Sequence, residues 1–241
     1  MSIHRHVYSD APGAAQASAR HIFALLEEAL SGEGLATLAV SGGSTPKLMF
    51  QEMAKVRFAW DRVHLFWVDE RGVPPTDSQS NYKLTADHFI TAVHFPQRNV
   101  HRIQAELRPQ VAAELYANEI REFFGLDPGE LPHFDIVHRG VGPDAHTASL
   151  FPGESLIEDR ESIAAAVYVE KFTQWRITLL PGVLTSARHT VVLACGQDKA
   201  EAVRAIFNEP YDPMKYPGQI TSHDGRSVTW FMDAAAASQL E

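Results

Sequence analysis

Residues 35–50, "LATLAVSGGSTPKLMF", decide the fold. An apolar run from Leu35 to Val40 meets two glycines and three hydroxyl residues, and a fresh apolar pattern begins after Pro46. A short continuous run of this kind, bounded by turn residues, reads as a strand buried on both faces. Gly42 and Gly43 permit backbone conformations costly to other residues, and Thr45 followed by Pro46 reads as a helix N-cap with a first-turn proline. A strand that turns this tightly into a helix start collects free backbone N–H groups and the positive end of the helix dipole at one point. With the hydroxyls of Ser41, Ser44 and Thr45, the junction from Ser41 through Gly42 and Gly43 to Thr45 is a candidate phosphate cradle. The same letters also describe a plain capped turn, because neither the Walker A spacing nor G-x-G-x-x-G is present in this stretch.

Similar apolar runs follow at Val63 to Val68, Phe134 to Val137, Ile163 to Val169, Ile177 to Leu180 and Thr190 to Ala194. Between them lie segments with helical periodicity, "AQASARHIFALLEEAL", "VAAELYANEIREFF" and "DKAEAVRAIF". Strands alternating with helices predict an α/β fold, a mostly parallel sheet covered by helices on both faces. At 241 residues, 45% hydrophobic, the chain has enough apolar surface for one substantial core, and a single domain over residues 1–241 is expected. The net charge of −9 and the lack of any basic run argue against a nucleic-acid partner. No stretch approaches a membrane span, and no signal-peptide pattern opens the chain, so a cytoplasmic protein without a membrane partner is expected. The lone cysteine, Cys195 in "TVVLAC", fits a reducing compartment and reads as a buried thiol. No His, Cys and carboxylate set has metal-ligand spacing, so neither metal nor cofactor is expected.

Ligands of open parallel sheets bind beyond the carboxyl ends of the strands, so polar clusters that directly follow a strand carry functional weight. In "VDERGVPPTDSQSNY", Arg71 is placed to meet an anion or a developing oxyanion, and Asp69 to position a hydroxyl or a proton. An ion pair within the triplet or a solvated loop is the alternative. In "FDIVHRGVGPDAHTASLFPG", Asp144 reads as an N-cap and His146 falls in the first helical turn, where the dipole would keep the imidazole neutral and able to take a proton from water. Gly140, Gly142 and Ala145 also satisfy G-x-G-x-x-A, but the acidic residue of a dinucleotide site is misplaced. Lys171 and Arg176 flank the start of a strand. Lys199, expected in the first turn after Gly196, opposes a helix dipole and calls for an anion.

Together, "SGGSTP", "VDERGVPPTDSQSNY", "GVGPDAHTASLFPG", "KFTQWRITL" and "GQDKAEAV" resemble the ordered motifs of the 6-phosphogluconolactonases, whose superfamily also holds the glucosamine-6-phosphate deaminases. The resemblance implies a modified doubly wound, Rossmann-like sheet and hydrolysis of 6-phospho-D-glucono-1,5-lactone in the oxidative pentose phosphate pathway. It implies Ser41 to Thr45 as phosphate loop with Arg176 and Lys199 as cationic partners, and Lys171 at a basic position of the family. The catalytic candidates are His146 as general base with Asp69, Arg71 and Asp144. The partner implied is a small sugar-phosphate lactone, taken by a monomer or weak homodimer. A deaminase or isomerase, or a non-catalytic sugar-phosphate binder, would share the fold. The deaminases carry a catalytic Glu shortly after the histidine, whereas "HTASLFP" has no carboxylate.

This chain departs from the family pattern at three places. Ala145 stands where glycine is usual, and a positive φ there would cost alanine about 1–2 kcal/mol. His138 and Arg139 replace two apolar residues, and a buried Arg139 would need an anion or a route to solvent. "FTQW" replaces a proline-rich stretch between Lys171 and Arg176.

Overall fold

The structure, a computed structural model, describes residues 2–32, 34–223 and 225–240. Seven strands form the central sheet: β1 (Ser2–Tyr8), β2 (Ala36–Val40), β3 (Val63–Trp67), β5 (Val100–His101), β6 (Ile136–Arg139), β9 (His189–Ala194) and β10 (Ser227–Asp233). Their order is β1-β10-β9-β6-β2-β3-β5, and every neighbouring pair is parallel. The run that ends at Val40 behaves as a strand buried on both faces, since β2 is buried at every position.

From β2 the chain proceeds outward to β3 and β5 on one side, and later from β6 to β9 and β10 on the other. The two directions diverge between β2 and β6. A crevice opens at such a switch point, beyond the carboxyl ends of the two strands. Ser41 to Thr45 follow β2 and residues 140–146 follow β6, so both sequence clusters arrive there.

Helices cover both faces. On one face α1 (Ala11–Gly32) and α2 (Ser44–Met53) contribute Ile22, Leu26, Met49 and Phe50 to the larger apolar cluster. On the other, α6 (Ala200–Asn208) packs Val203 and Ile206 against Val192, Val228, Trp230 and Met232. Also in the larger cluster, α4 (Pro109–Phe124) starts with a proline in its first turn and ends at Gly125 with φ 61°, the left-handed cap that glycine adopts without strain. Its Tyr116 hydroxyl accepts from the Trp67 N–H at 2.9 Å and donates to the Trp67 carbonyl at 2.7 Å, fixing the strand end that leads into Asp69. The remaining helices are α3 (Asn81–Thr85), α5 (Pro181–Ser186) and α7 (Gln219–His223).

Two runs read as members of the main sheet lie elsewhere. β7 (Ala164–Val169) and β8 (Gln174–Leu179) form an antiparallel hairpin that pairs with β4 (Asp69–Arg71) in a second, three-stranded sheet. The segment joining them, residues 170–173, is too short for the crossover that parallel pairing requires. β1 has His4, Arg5 and His6 at its centre, so no continuous apolar run marks it, and in β10 the run from Trp230 to Met232 is only three residues long.

Candidate active site

The helix of the cradle begins two residues earlier than expected. Gly43, with φ 119° and ψ 175°, is the N-cap of α2, and Pro46 is the third helical residue. Only glycine adopts that conformation without strain, so Gly43 rather than Thr45 closes the turn. No side chain caps α2, which leaves its first N–H groups free to face a ligand. Ser41 is buried and its Oγ has no partner among the described residues. The loop is held from below by Asn81, whose carboxamide lies against Gly42 Cα and whose Nδ2 donates to the Asp69 carbonyl at 2.8 Å. A Cβ on Gly42 would overlap that carboxamide. Gly42→Ala is therefore expected to cost about 1–3 kcal/mol of stability through overpacking. It should also raise KM for a phosphorylated ligand roughly tenfold by moving the N–H groups, about 1.4 kcal/mol of binding. Thermal unfolding and steady-state kinetics read the two effects, and an unchanged KM would detach the loop from the ligand.

No helix follows β6. Residues 141–150 form a closed loop in which the Gly142 N–H donates to the His146 carbonyl at 2.9 Å and the Ala145 N–H to the Gly142 carbonyl at 3.0 Å. Ala145 has φ 63°, the strained left-handed region, and the Gly218 N–H holds its carbonyl at 2.7 Å. His146 therefore lies at no helix N-terminus, and no helix dipole acts on it. What replaces the dipole is Asp144, whose Oδ1 lies 2.5 Å from His146 Nδ1. A carboxylate only accepts, so Nδ1 carries a proton and donates, and the single-protonated ring has Nε2 as its basic nitrogen. Asp144 Oδ2 accepts from Lys171 Nζ at 3.0 Å. Burial alone would raise the Asp144 carboxyl, but His146 and Lys171 outweigh it and hold it well below the usual carboxylate range. Phe151 packs on the imidazole with ring centres 4.2 Å apart.

The acidic strand end is β4, and its three residues separate into distinct roles. Asp69 is buried; its Oδ2 accepts from Ser149 Oγ at 2.8 Å and lies 4.0 Å from Arg176 Nη1. Glu70 is turned into the protein, where its carboxylate accepts from Ser80 Oγ and the N–H groups of Arg71, Asn81 and Tyr82. Burial nonetheless raises the Glu70 carboxyl above its ordinary value. Those bonds fold residues 72–80 back over the strand. Arg71 and Arg176 stand opposite each other in the β4–β8 ladder. Burial lowers the Arg176 guanidinium from its ordinary value, Asp69 pulls it back up, and Arg71 pushes it down again. Two adjacent guanidinium groups beside one carboxylate leave an excess of positive charge facing the crevice.

A cavity of about 220 Å³ is lined by Ser41, Gly42, Gly43, Asp69, Arg71, His146, Arg176 and Lys199, so the glycine turn and the imidazole open onto one space. A smaller cavity of about 110 Å³ adjoins it, bordered by residues 42–46, Lys199 and Cys195. Lys199 ends the 3-10 turn Gln197–Lys199 just ahead of α6, a little earlier than the expected first helical turn. Burial pushes the Cys195 thiol up to about 12, which removes it as a nucleophile. Lys171 does not line the main cavity; it is exposed and reaches the site only through Asp144. The sequence reading missed Asn81, Ser149 and Phe151, although all three lie inside the motifs it quoted. Only their tertiary contacts distinguish them from neighbouring polar and apolar residues. No helix among the described residues is long and apolar enough to cross a membrane.

A glycine-walled, cationic crevice at the switch point of a parallel sheet, with a carboxylate-oriented imidazole inside it, defines an α/β protein equipped for acid–base chemistry on a small anionic ligand. Comparison with known proteins narrows that class. The profile of the glucosamine-6-phosphate isomerases/6-phosphogluconolactonase matches residues 9–230, and the chain belongs to this family. It is 33% identical over 220 residues to the 6-phosphogluconolactonase of Nostoc sp., covering 91% of this chain and 90% of that one. It is 35% identical over 209 residues to the human 6-phosphogluconolactonase, covering 84% and 80%. A crystal structure of the devB protein superposes with a TM-score of 0.87 at 32% identity over the whole of both chains.

Proposed function

We propose that the protein hydrolyses 6-phospho-D-glucono-1,5-lactone to 6-phosphogluconate, with His146 as general base and no metal in the scheme. One observation carries the reading: His146, oriented by Asp144, shares its cavity with the Gly42–Gly43 turn, Arg71, Arg176 and Lys199. In the proposed reaction His146 Nε2 takes a proton from a water molecule as its oxygen bonds to C1 of the lactone. The carbonyl electron pair moves to oxygen, where the Arg71 guanidinium meets the charge. Collapse of the tetrahedral adduct breaks the bond between C1 and the ring oxygen, which takes the proton back from His146. The products are a free hydroxyl and a carboxylic acid, which ionises to the carboxylate by releasing its proton to solvent. The phosphate, held by the loop with Lys199 and Arg176, fixes the ring so that binding energy remote from C1 is spent on orientation.

Phe151 favours lactone hydrolysis over deamination. It packs on the His146 ring with centres 4.2 Å apart, it offers no proton, and residues 147–152 hold no carboxylate of the kind the deaminases carry shortly after their histidine.

The test follows acid release from freshly generated 6-phosphogluconolactone against its spontaneous opening. Unphosphorylated gluconolactone serves as the companion substrate. Loss of the phosphate contacts is expected to lower kcat/KM about 10²–10³-fold, the equivalent of roughly 3–4 kcal/mol of charge-assisted hydrogen bonds. Equal efficiency on the two lactones would mean that the loop binds no phosphate.

A further inference from the structure

Beyond His146 the crevice widens into a second space of about 420 Å³, lined by Arg71, Gln79, His146, Phe172, Gln174 and Arg176. Three of these residues belong to no role described so far. Phe172 ends the hairpin turn between β7 and β8 and remains 46% exposed, a large apolar face left at the rim of a charged site. Gln174 opens β8, and its Nε2 donates to Gln79 Oε1 at 3.0 Å, bridging the hairpin to the loop of residues 72–80. Each side of the bridge also grips an arginine. The Gln79 carbonyl accepts from Arg71 Nη1 at 2.5 Å, and the Arg176 guanidinium carbon lies 5.1 Å from the centre of the Phe172 ring.

We propose that Phe172, Gln174 and Gln79 form a sugar-ring subsite that determines specificity for a polyhydroxylated lactone. The inference rests on the lactonase reading and names what that site recognises. A six-membered sugar lactone presents C–H bonds on its faces and hydroxyls on its edge. An exposed aromatic face packs against the former, and carboxamides, which donate and accept, pair with the latter. The bridge in the free protein satisfies one donor of Gln174 and one acceptor of Gln79, leaving each amide with capacity for a hydroxyl. The same contacts hold the two arginines toward the cavity, so ring recognition and the placing of countercharge at C1 are linked.

The test compares wild type, Gln174→Ala and Phe172→Ala on 6-phosphogluconolactone and on its 2-deoxy and 3-deoxy analogues, with thermal unfolding as a control for folding. For wild type, removing a recognised hydroxyl should lower kcat/KM about 10–100-fold, because it leaves a polar partner unpaired. In Gln174→Ala that discrimination should shrink to within about threefold for at least one analogue. Phe172→Ala should raise KM about tenfold with a smaller change in kcat, the signature of lost uniform binding. Discrimination unchanged in Gln174→Ala together with KM unchanged in Phe172→Ala overturns the subsite. Calorimetric binding of 6-phosphogluconate separates this outcome from failure of the lactonase reading. If wild type shows no turnover, the subsite stands where both variants weaken binding at least fivefold, about 1 kcal/mol, and falls where they do not.

Discussion

His146→Ala lowers the saturating rate of lactone opening by about 10²–10⁴-fold, the range of general base assistance, while KM for the phosphorylated lactone changes little. The expectation follows from the separation of tasks in the cavity. In the proposed reaction the glycine turn and Lys199 hold the anion, whereas the imidazole only takes the proton of the attacking water and returns it to the ring oxygen. Asp144→Asn keeps the side chain's shape but presents an amide to Nδ1, so the ring loses the partner that commits its proton to one nitrogen. Its rate should fall with KM again preserved. Rates are taken after subtraction of the spontaneous reaction. A loss under about threefold in His146→Ala removes this residue from the chemistry, since a true base contributes far more.

The second large effect concerns stability. Arg139, at the end of β6, is fully buried, and its Nε, Nη1 and Nη2 have no partner among the described residues. Burial pushes the guanidinium down to about 9, still above neutral pH, so the folded protein carries an uncompensated charge in its interior. Arg139→Met, which preserves an unbranched shape, is expected to stabilise the protein by about 2–4 kcal/mol. For a chain of this length that is a rise of roughly 5–15 °C in Tm. Destabilisation would show that the guanidinium finds a counterion.

The adjacent His138 is also fully buried with neither ring nitrogen paired among the described residues, and burial lowers it to about 3. The unfolded chain, with an ordinary histidine near 6.5, binds more protons between those two values. Stability should therefore fall as the pH drops below about 6.5, level off below about 3, and be unaffected by this group at pH 8. Relative to pH 7.5, His138→Leu should recover about 2–3 kcal/mol at pH 4.5 in denaturant titrations.

Much of this protein was legible before any coordinates. The run ending at Val40, followed by glycines and hydroxyls, announces a buried strand and a tight turn because both depend on nearest neighbours. Asp69, Arg71, Asp144, His146 and Lys199 were singled out because each follows a strand end. The failures share a cause. Thr45 and Asp144 carry good capping chemistry, yet Gly43 caps α2 and no helix follows Asp144, because hydrogen bonds from Gly142 and Gly218 hold residues 142–146 in a closed loop. The runs of β7 and β8 carry the same apolar signal as central strands, but their short connection permits only antiparallel pairing.

The sequence by itself determined the class of fold, the phosphate-loop candidate and the identity of the polar groups at the strand ends, since these follow from local periodicity, glycine and the chemistry of single side chains. Only the tertiary structure decided that Asp144 orients His146, that Arg71 and Arg176 stand side by side, that Asn81 braces Gly42, and that Arg139 and His138 are buried without partners. Asp144 and His146 are two residues apart and meet because the loop that carries them is closed and held by Gly218; each of the other facts requires residues far apart along the chain to meet, or a surface to be covered by a distant element. Burial and pairing are properties of the packed molecule, and a linear pattern carries them only as far as its own strand or turn extends.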